Sequence, residues 1–282
     1  MIEIIVHLLR MSQFANHMKI NIIIYLLSLT VIAVSCKKKG CTDPAATNYN
    51  ASAEKDDQSC EYATDYSSEF TFTHQVNGSS FLFDTIHYLH PGGQNYSIQT
   101  LKYFVSDIVL YKSSGDSIVL DVTHYVDAEN TSTNSFSFES SIENGTYTGI
   151  GFVFGLDEGK NITGSLVNPP ESLMEWPVPM GGGYHYMKME GKYDSLGTIK
   201  NYAIHTGALM GTPYYVRYSQ SQTFTVTNNE LNVEFLMELN NLFQNPTLYN
   251  FDVFGSGIMG NQTAQETIHG NGHDVFSIGS IN

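Results

Sequence analysis

Leu231-Asn232-Val233-Glu234-Phe235-Leu236-Met237-Glu238-Leu239 is the stretch that decides the fold. Leu231, Val233, Phe235, Met237 and Leu239 occupy every second position, alternating with Asn232, Glu234 and Glu238. Successive side chains of an extended chain point to opposite faces, so this spacing lays one apolar stripe against a core. The same period recurs upstream. Phe70, Phe72, His74 and Val76 alternate with Thr71, Thr73 and Gln75; Ile118, Leu120, Val122 and His124 share a face, as do Ile150, Phe152 and Phe154. Gly-, Asn- and Ser-rich stretches separate these runs, and 18 Tyr and 16 Phe add aromatic weight suited to pleated surfaces. The pattern predicts an all-β fold, an antiparallel β-sandwich of Ig-like or Greek-key type. One short helix is expected near the C-terminus, N-capped by Asn261 and stopping near Gly270.

Hydrophobic residues make up 41% of the 282, enough for a sizeable core, and the formal net charge is −15. That charge argues against a nucleic-acid partner, because binding phosphate backbones takes Lys and Arg. The chain lacks a phosphate loop, a Gly-x-Ser-x-Gly elbow, His-Glu-x-x-His and Cys-x-x-Cys, so a binding protein is expected rather than an enzyme.

The N-terminal region reads as an export signal. Met18-Lys19 precedes a nearly continuous apolar run over 20–34, and Val34-Ser35 leads into Cys36. Such a run rises only about 22 Å as a helix, short of a ~30 Å hydrocarbon core. The segment resembles a lipoprotein signal peptide spanning 1–35, with translation starting at Met18 and lipid on Cys36 tying the chain to a membrane. The expected location is the cell envelope, as an outer-membrane lipoprotein facing the periplasm or the cell surface. Of three cysteines, Cys41 and Cys60 then remain, an even pair in an exported chain and so an expected disulfide. The chain-entropy model values such a loop at about 3 kcal/mol. The expected organisation is a tether and stapled module over 36–68 and a sandwich over 69–282.

The module, from Cys41-Thr42-Asp43-Pro44 to Asp56-Asp57-Gln58-Ser59-Cys60, resembles a small Cys-Thr-Asp-Pro…Asp-Asp-Gly-Ser-Cys unit of exported bacterial proteins, with Gln58 in place of the usual Gly. A stapled spacer is the preferred reading, and calcium on its carboxylates is the alternative.

Five further stretches, in order, resemble the MbnP-like family of exported copper-binding proteins. They are Leu101-Lys102-Tyr103-Phe104-Val105-Ser106-Asp107, Gly145-Thr146-Tyr147-Thr148-Gly149-Ile150-Gly151-Phe152, Met174-Glu175-Trp176 with Gly183-Tyr184-His185-Tyr186-Met187-Lys188-Met189-Glu190-Gly191, Tyr202-Ala203-Ile204-His205-Thr206-Gly207, and Ile258-Met259-Gly260-Asn261. The resemblance implies copper held by His side chains and by a tryptophan oxidised to kynurenine, which would require a partner oxidase. Two departures stand out. Val178 replaces the family's second aromatic after Trp176, and Asp107 stands where Asn is usual.

Imidazole suits copper, and thioether suits Cu(I). His74, on the inward face of its strand, and His205, at the matched family position, are the leading ligand candidates, with His185 and Trp176 behind them. His185, Met187 and Met189 are expected on one strand face as a soft-donor stripe or as core filling. His87 and His90 form a weaker second candidate, sharing a site only if the chain turns between them. His124 is expected to be structural. Gly270 and Gly272 argue against a helix that would align His269 with His273. A metal-free surface module for adhesion or partner binding is the alternative function.

Overall fold

A computed structural model describes residues 37–61 and 66–282. The expected signal peptide and Cys36 lie outside the described residues. The chain divides into two units, Met1–Thr64 and Asp65–Asn282.

In the first unit Cys41 and Cys60 are disulfide-bonded, with Cα atoms 4.7 Å apart. Polar side chains bend the backbone into turns around that bond. Asp43 accepts from the Ala45 N–H, Asn50 from Ser52, Asp56 from Gln58 and Asp57 from Ser59. This is the Asx-turn chemistry that holds a segment with few apolar side chains. Gln58 has φ 65, a left-handed conformation that Gly adopts without steric cost, which explains the residue type it replaces.

The second unit is a sandwich of two sheets. Its strands are β1 (Ser68–Val76), β2 (Ser79–Ser80), β3 (Tyr88–Leu89), β4 (Asn95–Lys112), β5 (Ser117–Asp127), β6 (Ser135–Phe138), β7 (Gly145–Phe154), β8 (His185–Ser195), β9 (Thr198–Gly207), β10 (Val216–Val226), β11 (Asn232–Glu238) and β12 (Phe276–Ile281). One sheet runs β12-β11-β1-β2, with β6 also on β1; the other runs β10-β7-β4-β8-β9, with β3 and β5 also on β4. The pairing is antiparallel except between β1 and β11, which run parallel with Phe72 opposite Phe235. The antiparallel β-sandwich expected from the sequence is thus the fold observed, with one parallel pair within it.

The inner faces of both sheets meet in an aromatic core. Phe72 of β1 lies edge-on to Phe152 of β7 at 5.4 Å, and Phe152 contacts Phe235 of β11 at 4.9 Å. Tyr103, Met187 and Met189 belong to the same core. A second apolar cluster, including Phe104, Tyr125, Met174, Tyr184 and Tyr186, forms on the outer face of the larger sheet, beneath the connection from β7 to β8. Consecutive residues Tyr103 and Phe104 thus serve opposite faces, as the pleat requires.

Helix α1 (Phe251–Phe254) and helix α2 (Gln262–Asn271) complete the unit. Asn261 caps α2 through its side chain, accepting from the Ala264 N–H at 3.1 Å. The helix runs through Gly270, so His269 lies in its last turn and His273 in the 3-10 turn that follows. The helix ends at Asn271, beside the stop expected near Gly270, and Gly270 has open space at its Cβ position. Asp107 sits at a β4 irregularity with φ 51, a conformation that Asn and Asp both accept, and its carboxylate pairs with Lys160 at 2.7 Å.

Candidate metal centre

Four residues converge on the outer face of β8 and β9. The register pairs Lys188 with His205 and Met187 with Thr206, but His185 with Gly207. One extra residue therefore bulges from β8 between His185 and Met187. A bulge re-aims the side chains on one side of it. Met187 and Met189 face the inter-sheet core, whereas His185 turns to the outer face and meets His205 with ring centroids 5.1 Å apart at 83°. The soft-donor stripe expected from alternation is therefore split: the methionines fill core, and His185 stands with His205.

Trp176 closes the site. It reaches the site because the chain bends back over Gly181, Gly182 and Gly183, all with positive φ, and Trp176 N–H bonds the Gly183 carbonyl at 2.9 Å. The indole is 1% exposed and lies 4.9 Å from the His185 ring. It rests against Gly207, where an added Cβ would come within 2.6 Å of the ring. Its Nε1–H is buried without a hydrogen-bond partner among the described residues. Val178 stands two residues on, 70% exposed, so the position of the family's second aromatic is at the surface while Trp176 faces the imidazoles.

Each imidazole is fixed by one acceptor. His185 Nδ1 lies 2.9 Å from the Met174 carbonyl, which makes Nδ1 the protonated nitrogen and leaves the lone pair on Nε2. His205 Nε2 lies 2.7 Å from Glu190 Oε1, which places its lone pair on Nδ1. Burial pushes His185 down to about 3, and the Lys188 charge adds to that while the Met174 carbonyl opposes it. Burial also lowers His205, against the pull of its hydrogen bond to Glu190. Burial favours the neutral form of both rings, in which the Glu190 contact is a hydrogen bond donated by a neutral imidazole. An imidazole tied by its other nitrogen to a carbonyl or carboxylate is the arrangement that orients a metal ligand. The donor set fits copper, for which imidazole is a good ligand. Among the described residues no group of three or more His, Cys, Asp or Glu side chains is arranged to hold a metal ion, and with Glu190 engaged by His205 the site offers two imidazoles and the indole rather than the closed set of a structural zinc. The same finding applies to the carboxylates of the Cys41–Cys60 module.

The other sequence candidates lie elsewhere. His74 points into the inter-sheet core, its Nε2 2.9 Å from the Tyr103 hydroxyl, and burial holds it at about 4. It extends from β1 of the smaller sheet against the inner side of the larger one, whereas His205 lies on the outer side, so the two do not form one site. His90 is 1% exposed, enclosed by Phe243 and Phe251, with Nδ1 accepting from the Gly92 N–H at 2.8 Å. His87 is exposed with its ring against Tyr88, so the pair does not converge. His124 bonds the Thr133 carbonyl at 2.7 Å. Glu190 was missed as a participant, although its place in Lys188-Met189-Glu190-Gly191, two residues from the β8 position that faces His205, carried the signal.

The MbnP family model matches residues 66–260. Among solved structures, MbnP from Methylosinus trichosporium aligns over 77% of this chain and 99% of its own, at 13% identity and a TM-score of 0.48. No curated protein sequence matches the chain.

Proposed function

The chain belongs to the MbnP family, and on that premise we propose that it is a copper-binding protein, non-enzymatic, held in the cell envelope by lipid on Cys36. Family membership supports a copper-related role. The observation that carries the assignment to a site is the pairing of His185 with His205 at 5.1 Å, each ring favoured by burial in its neutral form and each with one N–H already engaged. His185 Nε2 and His205 Nδ1 would hold the metal. Copper supplies the affinity for imidazole that makes sequestration possible; the protein supplies position. Met174 and Glu190 fix the tautomers, Gly207 admits the indole, and Trp176 walls one side against water. Cleavage of the Trp176 indole C2–C3 bond by dioxygen on a partner oxidase, followed by hydrolytic release of the C2 carbon as formate, would leave a ketone at C3 and an aryl amine nitrogen beside the two imidazoles. Mass spectrometry of the tryptic peptide containing Trp176, from protein made in its native host, reports that change.

Titration of the copper-free protein with Cu(I), in competition with a chromophoric chelator, tests the site. One equivalent is expected to bind below micromolar Kd, with His185→Ala and His205→Ala each losing tight binding. Unchanged binding in both variants would reject the site.

A second reading is a metal-free surface module for adhesion or partner binding, favoured by the absence, among the described residues, of three converging ionisable ligands. It expects no stoichiometric copper in the same titration.

A further inference from the structure

We infer that the cleft beside the candidate metal centre binds a small carboxylate anion of about the size of citrate. The cleft, about 360 Å³, is lined by Lys188 and Glu190 beside that centre and by Thr100, Lys102, Tyr125 and Asp127, the Asp127 carboxylate being paired with Lys102 and the Glu190 carboxylate with His205. The inference extends the copper reading, since the anion would sit beside the metal, but the anion site stands on its own residues.

One row of residues crosses four strands on the outer face of the sheet. Asp127 of β5 is opposite Lys102 of β4, Lys102 is opposite Lys188 of β8, and Lys188 is opposite His205 of β9. Like charges directly opposite on adjacent strands repel. In a chain with only 13 Lys and Arg against 28 Asp and Glu, chance alone does not favour that juxtaposition. Lys102 is matched by Asp127 at 3.1 Å. Among the described residues Lys188 has no such carboxylate partner: its Nζ donates to the Leu173 carbonyl at 3.0 Å, and the nearby Glu190 is engaged by His205. Burial and the Lys102 charge both act against its ammonium, with Glu190 opposing them.

An anion between the two ammonium groups would relieve their repulsion. It would also compensate a copper cation arriving next to Lys188, which otherwise repels it. The hydroxyl of Thr100 adds a neutral donor. The Leu173 and Met174 side chains and Pro170 form an apolar wall suited to a carbon skeleton, which separates a carboxylate from sulfate or phosphate.

The experiment uses the complete copper-free protein. Citrate is titrated at constant ionic strength while the fluorescence of Trp176, the single tryptophan, is followed, with calorimetry in parallel. Saturable one-to-one binding is expected. Lys188→Gln should weaken it by about 10- to 100-fold, the loss expected for one charge-assisted hydrogen bond, while Lys192→Gln, on the same strand outside the cleft, should leave it unchanged. Sulfate should not saturate the site. Absence of citrate binding, equal weakening by both variants, or equal binding of sulfate would each overturn the inference. Because copper is absent, these outcomes are independent of whether copper binds: citrate binding without copper binding would remove the metal reading alone, and the reverse would remove the anion site alone.

Discussion

Two histidines of similar sequence appearance end in opposite roles. His74 and His205 both sit on strands of alternating pattern, yet His74 caps a buried tyrosine while His205 faces His185. The alternation of His74 with Phe70 and Phe72 places it on an inward face, but nothing in the sequence says which side of its own sheet His205 occupies. This is why His74 was legible as inward and not as distant from His205. Its burial makes a testable difference to stability. In the unfolded chain His74 titrates near the ordinary 6.5; in the fold it is held at about 4. Between those values the unfolded state takes up a proton that the folded state refuses, so stability falls as pH drops from about 6.5 toward 4. The full contribution is at most about 3 kcal/mol. Urea midpoints measured from pH 7 to pH 4.5 should decline, and the decline should be shallower in His74→Gln than in the wild type. His74→Ala should leave copper affinity unchanged, whereas His205→Ala should remove it; equal loss from both would return His74 to the site.

At the scale of elements, the period of two made the strands legible, and the Asn261 cap made helix α2 legible. What period could not carry was the irregularity. The bulge in β8 transfers His185 from the core face to the outer face, and a sequence of alternating His185, Met187 and Met189 contains no local mark of it. The parallel pairing of β1 with β11 joins segments some 160 residues apart and depends on tertiary packing rather than on either strand's own pattern. Gly207 tests how tightly these elements close on the site. Its Cβ position lies 2.6 Å from the Trp176 ring, held on a rigid strand, so Gly207→Ala must displace the indole. The expected cost is about 1–3 kcal/mol in chemical unfolding, together with a red-shifted Trp176 emission. A variant with wild-type stability and emission would show that the indole is free to move.

At the scale of the whole molecule, the fold class could be read from the period-two runs and the turn-rich stretches between them, while the convergence of three side chains from separate stretches required the fold. Trp176, His185 and His205 are brought together by a glycine turn, a bulge and a strand pair, none of which acts alone. The stapled unit depends on its disulfide, having only Cys41 and Ala46 among its described residues in the buried apolar set. Mild reduction should therefore open residues 37–61 to protease while leaving the thermal midpoint of the sandwich within about 1 °C, because the sandwich holds its own core. Cys36→Ser should abolish incorporation of labelled fatty acid in the native host, and retained label would contradict the anchoring proposal. The central claim is that copper is held between His185 and His205. Copper-edge X-ray absorption of the Cu(I)-loaded protein measures this directly. Imidazole scattering from two histidines and no sulfur shell are expected, since Met187 and Met189 lie in the inter-sheet core; a shell dominated by sulfur, or one without imidazole, would rule out copper held between His185 and His205.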